Sequence, residues 1–575
     1  MSGLDQQIRI KSTYTRSINL ARDSDTLELV SAYLPTSRAL QALAQVAEGL
    51  DERACGRALA LIGPYGSGKS AFALFLGALV LPEQNAARQI ATKILHDADP
   101  SLAGRLSRFL EGRRGFLRVQ VNGIPDSLVR QLLLALAAAV KKSRFSGADV
   151  LAQDIRVAAR PGTPMDQVLA LFRRVQNAWL NHGGCGVLVE IDELGKFLEY
   201  ESYHPQHREI HLLQLLAEQA HEAHRAPLHL VVMLHQAFEQ YSHRLGKHLR
   251  EEWQKVQGRF AALAFLEPAE QSLRIVAAAF ERQGELPSEV VSAMTVWATG
   301  LAAEGALPLG LDEVKARALF QCCYPLHPLT LLILPVLCQK VAQNERTLFS
   351  YLGSGESFGL RERLGKMRLG DWVKPWQLYD YFMLNPTGGF SDPLTYHRWI
   401  EVATALERFD GPPDSDAAQL LKTIGLLNLI GAQRGLKASQ ALLRALFGDA
   451  TDGLLAKLEN ASLIHLRQFS QEYRVWQGSD FDLAGALRQA ADEVAALPLD
   501  DLLNTLAPLK PIVARRATIA SGSLRSFAPV FTTRPPGPPK TEGGLTLYFY
   551  LAEEPSLPPS QPPPAGGRSR WLPPP

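Results

Sequence analysis

Apolar residues fall in two kinds of run along this chain. Runs of five to seven aliphatic and aromatic residues bounded by glycine or polar residues predict buried strands: Ala58–Ile62, Phe116–Val121, Val187–Ile191, Leu228–Leu234 and Phe260–Phe265. The second alternates and ends at Asn122-Gly123, and the third follows the break Gly183-Gly184-Cys185-Gly186. Stretches with apolar positions three and four apart lie between and before them, including Ser37–Leu50 and Ser127–Lys142, and predict helices. Strand and helix alternating over residues 55–266 predict an α/β domain, a parallel sheet covered by helices. Ligands of such sheets bind at the carboxyl ends of the strands.

The pattern changes after Pro268. Helical spacing dominates to about residue 390, with helices expected at Glu270–Arg282, Pro287–Ala302 and His327–Leu352. Two more helices are split by Gly411-Pro412-Pro413. From Leu436 the order is helix, turn, helix and two alternating runs, Leu463–Arg467 and Glu472–Trp476, joined by Gln468–Gln471. That is the order of a winged helix, or of a small α/β satellite of the core. Proline clusters at 535–539, 562–564 and 573–575 mark a low-complexity tail without a core pattern. Within it Leu545–Leu551 reads as one isolated strand, so the chain is expected to stop part-way into a further domain. The expected organisation is an N-terminal extension and helix (1–50), an α/β core (51–268), a helical lid (269–390), a winged-helix-like domain (391–480), a helical linker (481–532) and the proline-rich tail (533–575).

Composition narrows the class little. The 575 residues are 46% hydrophobic and 21% charged, with a net charge of +2, so any nucleic-acid binding must come from a local patch. Cys55, Cys185, Cys322, Cys323 and Cys338 lack metal-binding spacing and are expected to be buried free thiols of a reducing cytosol. There is no signal-peptide core after Met1, and the apolar Leu132–Val140 falls short of the ~20 residues of a membrane span. A cytoplasmic protein without a membrane partner is expected.

Chemistry enters at Gly63-Pro64-Tyr65-Gly66-Ser67-Gly68-Lys69-Ser70, which matches G-x-x-x-x-G-K-[ST] between a predicted strand and the helix opening at Ala71. The glycines let backbone N–H groups turn toward a polyphosphate, and the helix N-terminus adds its positive dipole end. Lys69 would reach the β- and γ-phosphates of ATP, and Ser70 would ligand Mg²⁺. The other half of such a site is the acidic pair Asp192-Glu193 closing the third strand. Asp192 would hold the Mg²⁺ shell and Glu193 would orient the attacking water. The bland account, an acid capping a helix Leu194–Glu199, explains one acid and not two.

Three weaker candidates follow. The fourth strand ends in His235-Gln236: either side chain would lie between the P-loop and the acidic strand, in reach of the γ-phosphate, or the pair faces solvent in a loop. Arg259, just before the fifth strand, is an arginine finger for a neighbouring subunit or a surface residue paired with an acid. Arg346 reaches the γ-phosphate from the lid or lies on a solvated helix face beside Glu345. The basic runs Lys141-Lys142-Ser143-Arg144 and Arg361, Arg363, Lys366, Arg368 are phosphate contacts or solvated faces.

Taken in order, Gly63–Ser70, Val121-Asn122, Asp192-Glu193, Leu228–Gln236 and Arg259-Phe260 resemble the AAA+ P-loop ATPases, in their initiator (origin-recognition) or STAND-like branch. Val189–Glu199, Tyr324–Pro328, Gln343–Phe349 and Glu472–Ser479 are similar to segments of large bacterial ATP-binding proteins of mobile and defence loci. The resemblance implies Mg²⁺-dependent ATP hydrolysis coupled to conformational change. It further implies a DNA-associated or multisubunit setting, with homo-oligomers or nuclease and helicase subunits as partners. The competing class is a signalling switch that turns ATP over slowly, or a scaffold that does not touch DNA.

Overall fold

In the computed structural model, residues 3–16, 18–24, 26–50, 56–204, 209–222, 224–236, 255–341, 348–383, 393–431, 436–476, 483–495, 497–534 and 545–551 are described. Five parallel strands form the central sheet: β1 (Ala58–Ile62), β2 (Phe116–Asn122), β3 (Gly186–Asp192), β4 (Leu228–Leu234) and β5 (Ala261–Ala264), in the order β2-β3-β4-β1-β5. All five coincide with the apolar runs of the sequence to within a residue or two. The fold is α/β, with a five-stranded parallel sheet and many helices. β4 separates the P-loop strand β1 from the acidic strand β3, as the reading of His235-Gln236 requires.

The central strands β1, β3 and β4 are apolar on both faces because both are covered. Ala58, Ala60, Val187, Val189 and Ile191 pack into one cluster with the helices Leu128–Ser143 and Met165–Asn181. Leu59, Leu61, Leu188, Val231 and Met233 face the other way, against the helices Ser37–Glu48 and Lys69–Leu79. At the amino ends of the strands, buried Arg57 donates to the carbonyls of Gly49, Ala220 and Glu222. It thereby satisfies carbonyls that the helices Ser37–Glu48 and Ile210–His221 leave open at their C-termini.

Beyond β5 the helices share one core that runs from Leu273 to Val475 and includes Leu4 and Ile8 from the N-terminus. Two expected helices differ from the structure. Glu270–Arg282 is a helix only over Ala269–Ala279, and Phe280–Arg282 is a strand pairing antiparallel with Ile8–Ile10. His327–Leu352 is two helices, Pro328–Val341 and Leu348–Gly353, with 342–347 outside the described residues. Later come the helices Pro393–Arg408, Asp416–Ile430, Gln440–Phe447 and Thr451–Asn460, then an antiparallel hairpin of Ile464–Arg467 with Glu472–Val475.

The chain forms two compact units, Met1–Gln477 and Gly478–Pro575. In the second, Leu545–Tyr550 is not isolated, as the sequence suggested. It pairs parallel with Ser526–Thr532, which pairs antiparallel with Ile512–Val513. Its partner strand carries Pro529 and polar ends, so no alternation advertised it. The three proline clusters lie outside the described residues, as do Cys55 and Arg346. Among the described residues no helix is long and apolar enough to cross a membrane.

Candidate functional site

The loop Gly63–Ser70 leaves β1 at the carboxyl edge of the sheet and is tied there from two sides. Gly63 N–H donates to Leu234 O of β4 (3.0 Å), and Phe265 N–H, just past β5, donates to Ile62 O (2.6 Å). Gly66 and Gly68 take φ of 74° and 89°, the left-handed region that glycine enters without steric cost. Gly68 then caps the helix Lys69–Leu79, whose first closed bond is Phe72 N–H to Gly68 O. The amides of Lys69, Ser70 and Ala71 therefore have no intrahelical acceptor and carry the positive end of the helix dipole.

Lys69 is buried at the mouth of this loop, and its Nζ donates to Gly63 O (2.5 Å), Pro64 O (2.9 Å) and Ser67 Oγ (3.2 Å). Burial pushes its pKa down to about 8, against the opposing pull of Asp192 and Glu193. Ser70 Oγ donates to Asp192 Oδ2 at 2.6 Å, so the P-loop and the acidic strand meet although 122 residues separate the two side chains. Asp192 is 6% exposed; burial raises its pKa, opposed by the Ser70 hydrogen bond and by Lys69. Ser70 Oγ and Asp192 Oδ2 are adjacent hard oxygen donors, a set that fits Mg²⁺ held by a carboxylate and substrate phosphates.

Glu193 follows in a left-handed conformation, φ 49°. Its N–H donates to Asp192 Oδ1 (2.9 Å), and its carboxylate accepts from Lys196 Nζ at 2.5 Å. It is not a helix cap: the helix Gly195–Tyr203 starts beyond it with Leu194 at the N-cap and no side-chain capping bond.

Of the pair His235-Gln236, His235 is the residue brought to the P-loop. Its ring stacks on Tyr65 at 5.0 Å, with Tyr65 Oη 3.5 Å from Nδ1. Burial and Lys69 lower the His235 pKa, while Glu193 opposes them. Burial, then Glu193, Glu199 and Asp192, push the Tyr65 phenol up to about 12. Gln236 shows no comparable contact among the described residues.

Arg259 lies at the other end of β5 from the P-loop, on the order of 15 Å away by strand rise. It is half exposed and pairs with Glu218 at 3.0 Å. Lys366 pairs with Glu362, while Lys141, Lys142 and Arg144 are exposed at the end of the helix Leu128–Ser143.

Beneath Asp192 lies a polar group the sequence reading passed over. Glu190, fully buried in β3, shares the face of Asp192; Gln120 of β2 donates to its Oε2 at 3.0 Å. Burial raises the Glu190 pKa to about 7, opposed by Arg118 and Gln120. Glu190 Oε1 and the Nε and Nη2 of Arg118 have no hydrogen-bond partner among the described residues. Arg118 lies against Gly77 of the P-loop helix, where a Cβ would come within 2.8 Å of the guanidinium. The signal was present: Glu190 is a lone acid inside an apolar run.

Scanned against protein-family models the chain matches none, and no curated protein matches it. Among solved structures it is similar to the ORC2 protein of Aeropyrum pernix. With that protein's ADPNP-ADP complexes it shares 13% identity over 85% of this chain and 98% of the other, at a TM-score of 0.30. The ADP form gives 12% identity, the same coverage and a TM-score of 0.29. A superposition this loose carries no inference about chemistry.

Proposed function

We propose that this chain binds and hydrolyses ATP with Mg²⁺ and couples turnover to movement of its helical lid. The observation that carries the reading is the 2.6 Å hydrogen bond between Ser70 and Asp192, which joins the phosphate loop to the acidic strand with Glu193 alongside. The amides of the loop and Lys69 bind the polyphosphate; Lys69 exchanges its carbonyl contacts for phosphate oxygens. Ser70 and Asp192 would hold Mg²⁺, which would neutralise charge on the phosphate oxygens. Glu193 orients the attacking water and takes its proton, and His235, steadied by Tyr65, lies between the P-loop and β3 as the γ-phosphate sensor in place of Gln236. Arg259 faces away from its own P-loop, which suits a finger offered to a neighbouring copy; Arg346 remains a lid candidate.

Residues 436–476 supply a winged helix. Its second helix, Thr451–Asn460, carries Asp452 and Glu459 against Lys457, so any DNA contact falls to the wing, where Phe469 is fully exposed beside Arg467. A DNA-bound or multisubunit assembly, as in defence loci, is the setting this organisation suits. The Arg259–Glu218 pair favours a second reading, a slow switch whose finger stays occupied until a partner displaces Glu218.

The test is steady-state ATPase of wild type, Glu193→Gln and Arg259→Ala over a range of protein concentrations, with and without single- and double-stranded DNA. The hydrolytic reading expects Mg²⁺-dependent turnover that Glu193→Gln lowers by about 100-fold or more while ATP binding persists. Unchanged turnover in Glu193→Gln sinks it. Rates that rise with concentration and collapse in Arg259→Ala select the oligomer; concentration-independent rates, indifferent to Arg259, select the switch.

A further inference from the structure

We infer that Lys196 is a positioning residue for hydrolysis, holding the Glu193 carboxylate in its working orientation; this rests on the hydrolytic reading of the site. Everything about Glu193 except its side-chain torsions is already fixed. Its N–H is bonded to Asp192 Oδ1, its carbonyl accepts from Lys196 N–H (3.0 Å), and the next residue, Leu194, donates to Met233 O of β4 (3.0 Å). The Glu193 carbonyl also lies so close to Gly123 that a Cβ there would come within 2.1 Å of its oxygen. What remains free is where the carboxylate points. Among the described residues the hydrogen bond that decides this is the one from Lys196 Nζ to Oε2, at 2.5 Å.

The placement of Lys196 has no structural motive of its own. It stands in the first turn of the helix Gly195–Tyr203, where the dipole disfavours a cation. Its side chain is 42% exposed and that of Glu193 is 36% exposed, so solvent screens the pair and the fold gains little from it. Nor is it a helical i,i+3 pair of the ordinary kind, because Glu193 precedes the helix in a left-handed conformation. A cation at an unfavourable helix end, reaching back to the acid that closes β3, fits a role in directing that acid. The ammonium gives Oε2 a fixed donor and leaves Oε1 to the water.

The experiment compares Lys196→Met, Lys196→Arg, Glu193→Gln and the double variant Lys196→Met/Glu193→Gln, measuring kcat, KM for ATP and the Kd of a fluorescent ATP analogue. Melting temperature of each variant confirms folding, which an exposed residue should not disturb. Expected is a fall in kcat of about tenfold or more in Lys196→Met, with KM and Kd within about twofold. Lys196→Arg should recover most of the rate, and Lys196→Met should add nothing to Glu193→Gln, because it acts only through that carboxylate. Unchanged kcat in Lys196→Met overturns the inference. So does a parallel loss of nucleotide affinity, or a further loss in the double variant, either of which would make Lys196 a direct phosphate contact. Wild-type turnover that survives Glu193→Gln would instead fell the hydrolytic reading itself, and Lys196 with it.

Discussion

At Glu193 a single backbone torsion decides what the acidic pair can do. A non-glycine residue at φ 49° turns the chain sharply off β3, so that Asp192 accepts from Ser70 while the Glu193 carboxylate accepts from Lys196. Gly123 makes that turn possible, since any side chain there would meet the Glu193 carbonyl at 2.1 Å and its Cβ at 3.0 Å. Gly123→Ala should therefore displace the tip of β2 or the acid itself, at a cost of about 1–3 kcal/mol. Because the P-loop leaves β1, two strands away from β3, nucleotide binding should survive. We expect kcat to fall at least tenfold with a lowered melting temperature and a nearly unchanged Kd for ATP. Wild-type kcat in Gly123→Ala would show that this backbone turn does not set the rate.

Elements whose partners lie nearby in the apolar pattern were readable from sequence; elements defined by a distant partner were not. The four strands β1 to β4 announce themselves because their apolar residues are buried against helices, and P-loop and acidic pair can be placed at their ends; the edge strand β5 buries only Leu263 between its flanking Phe260 and Phe265. Phe280-Glu281-Arg282 could not be recognised as a strand, since what makes it one is Ile8–Ile10, some 270 residues away. The same applies to Tyr65 and His235, whose stacking follows from strand order rather than spacing. Burial also places histidines where sequence gives no warning. His229 in β4 and His327, which stands between Trp297 and Trp372 at the start of Pro328–Val341, are each pushed by burial from 6.5 down to about 3. Between those values the unfolded chain binds the proton and the folded chain does not, so stability is full above about pH 6.5 and falls as pH drops toward 3. At pH 5 the loss is on the order of 2 kcal/mol per histidine. His327→Phe, which keeps an aromatic ring between the two tryptophans, should show a smaller drop in melting temperature between pH 7.5 and pH 5 than wild type. An equal drop would mean that His327 is not held neutral.

Across the whole first unit, the N-terminal segment joins parts that the rest of the chain keeps apart. Its first residues belong to the helical region beyond β5, proposed above as the lid: Leu4 and Ile8 lie in the core of that region, Leu4 N–H donates to Met367 O (2.9 Å), and Ile8–Ile10 pairs with Phe280–Arg282. A few residues later it belongs to the sheet. Asn19 Oδ1 accepts from Asn122 Nδ2 at 2.8 Å and from Arg22 N–H at 3.0 Å, and Asn122 is the register partner of Asp192. Asp23, 4% exposed, accepts from Asn19 N–H and from Arg22, which locks the turn. A short stretch of backbone thus runs from the lid's core to the strand end beside the acidic pair. Movement of β2 and β3 on nucleotide binding would be transmitted along it. In wild type, ATP with Mg²⁺ should slow amide exchange of Ile8–Ile10 and Phe280–Arg282 together with that of the P-loop. Asn19→Ala removes the bond to Asn122 and the cap on Leu20–Asp23, costing about 1 kcal/mol locally. It should leave protection of the P-loop intact while the response of the two lid strands shrinks or disappears. If both regions respond as in wild type, the lid takes its signal from elsewhere, and the links at Phe265 and Glu267, where β5 runs into the lid, become the route to test.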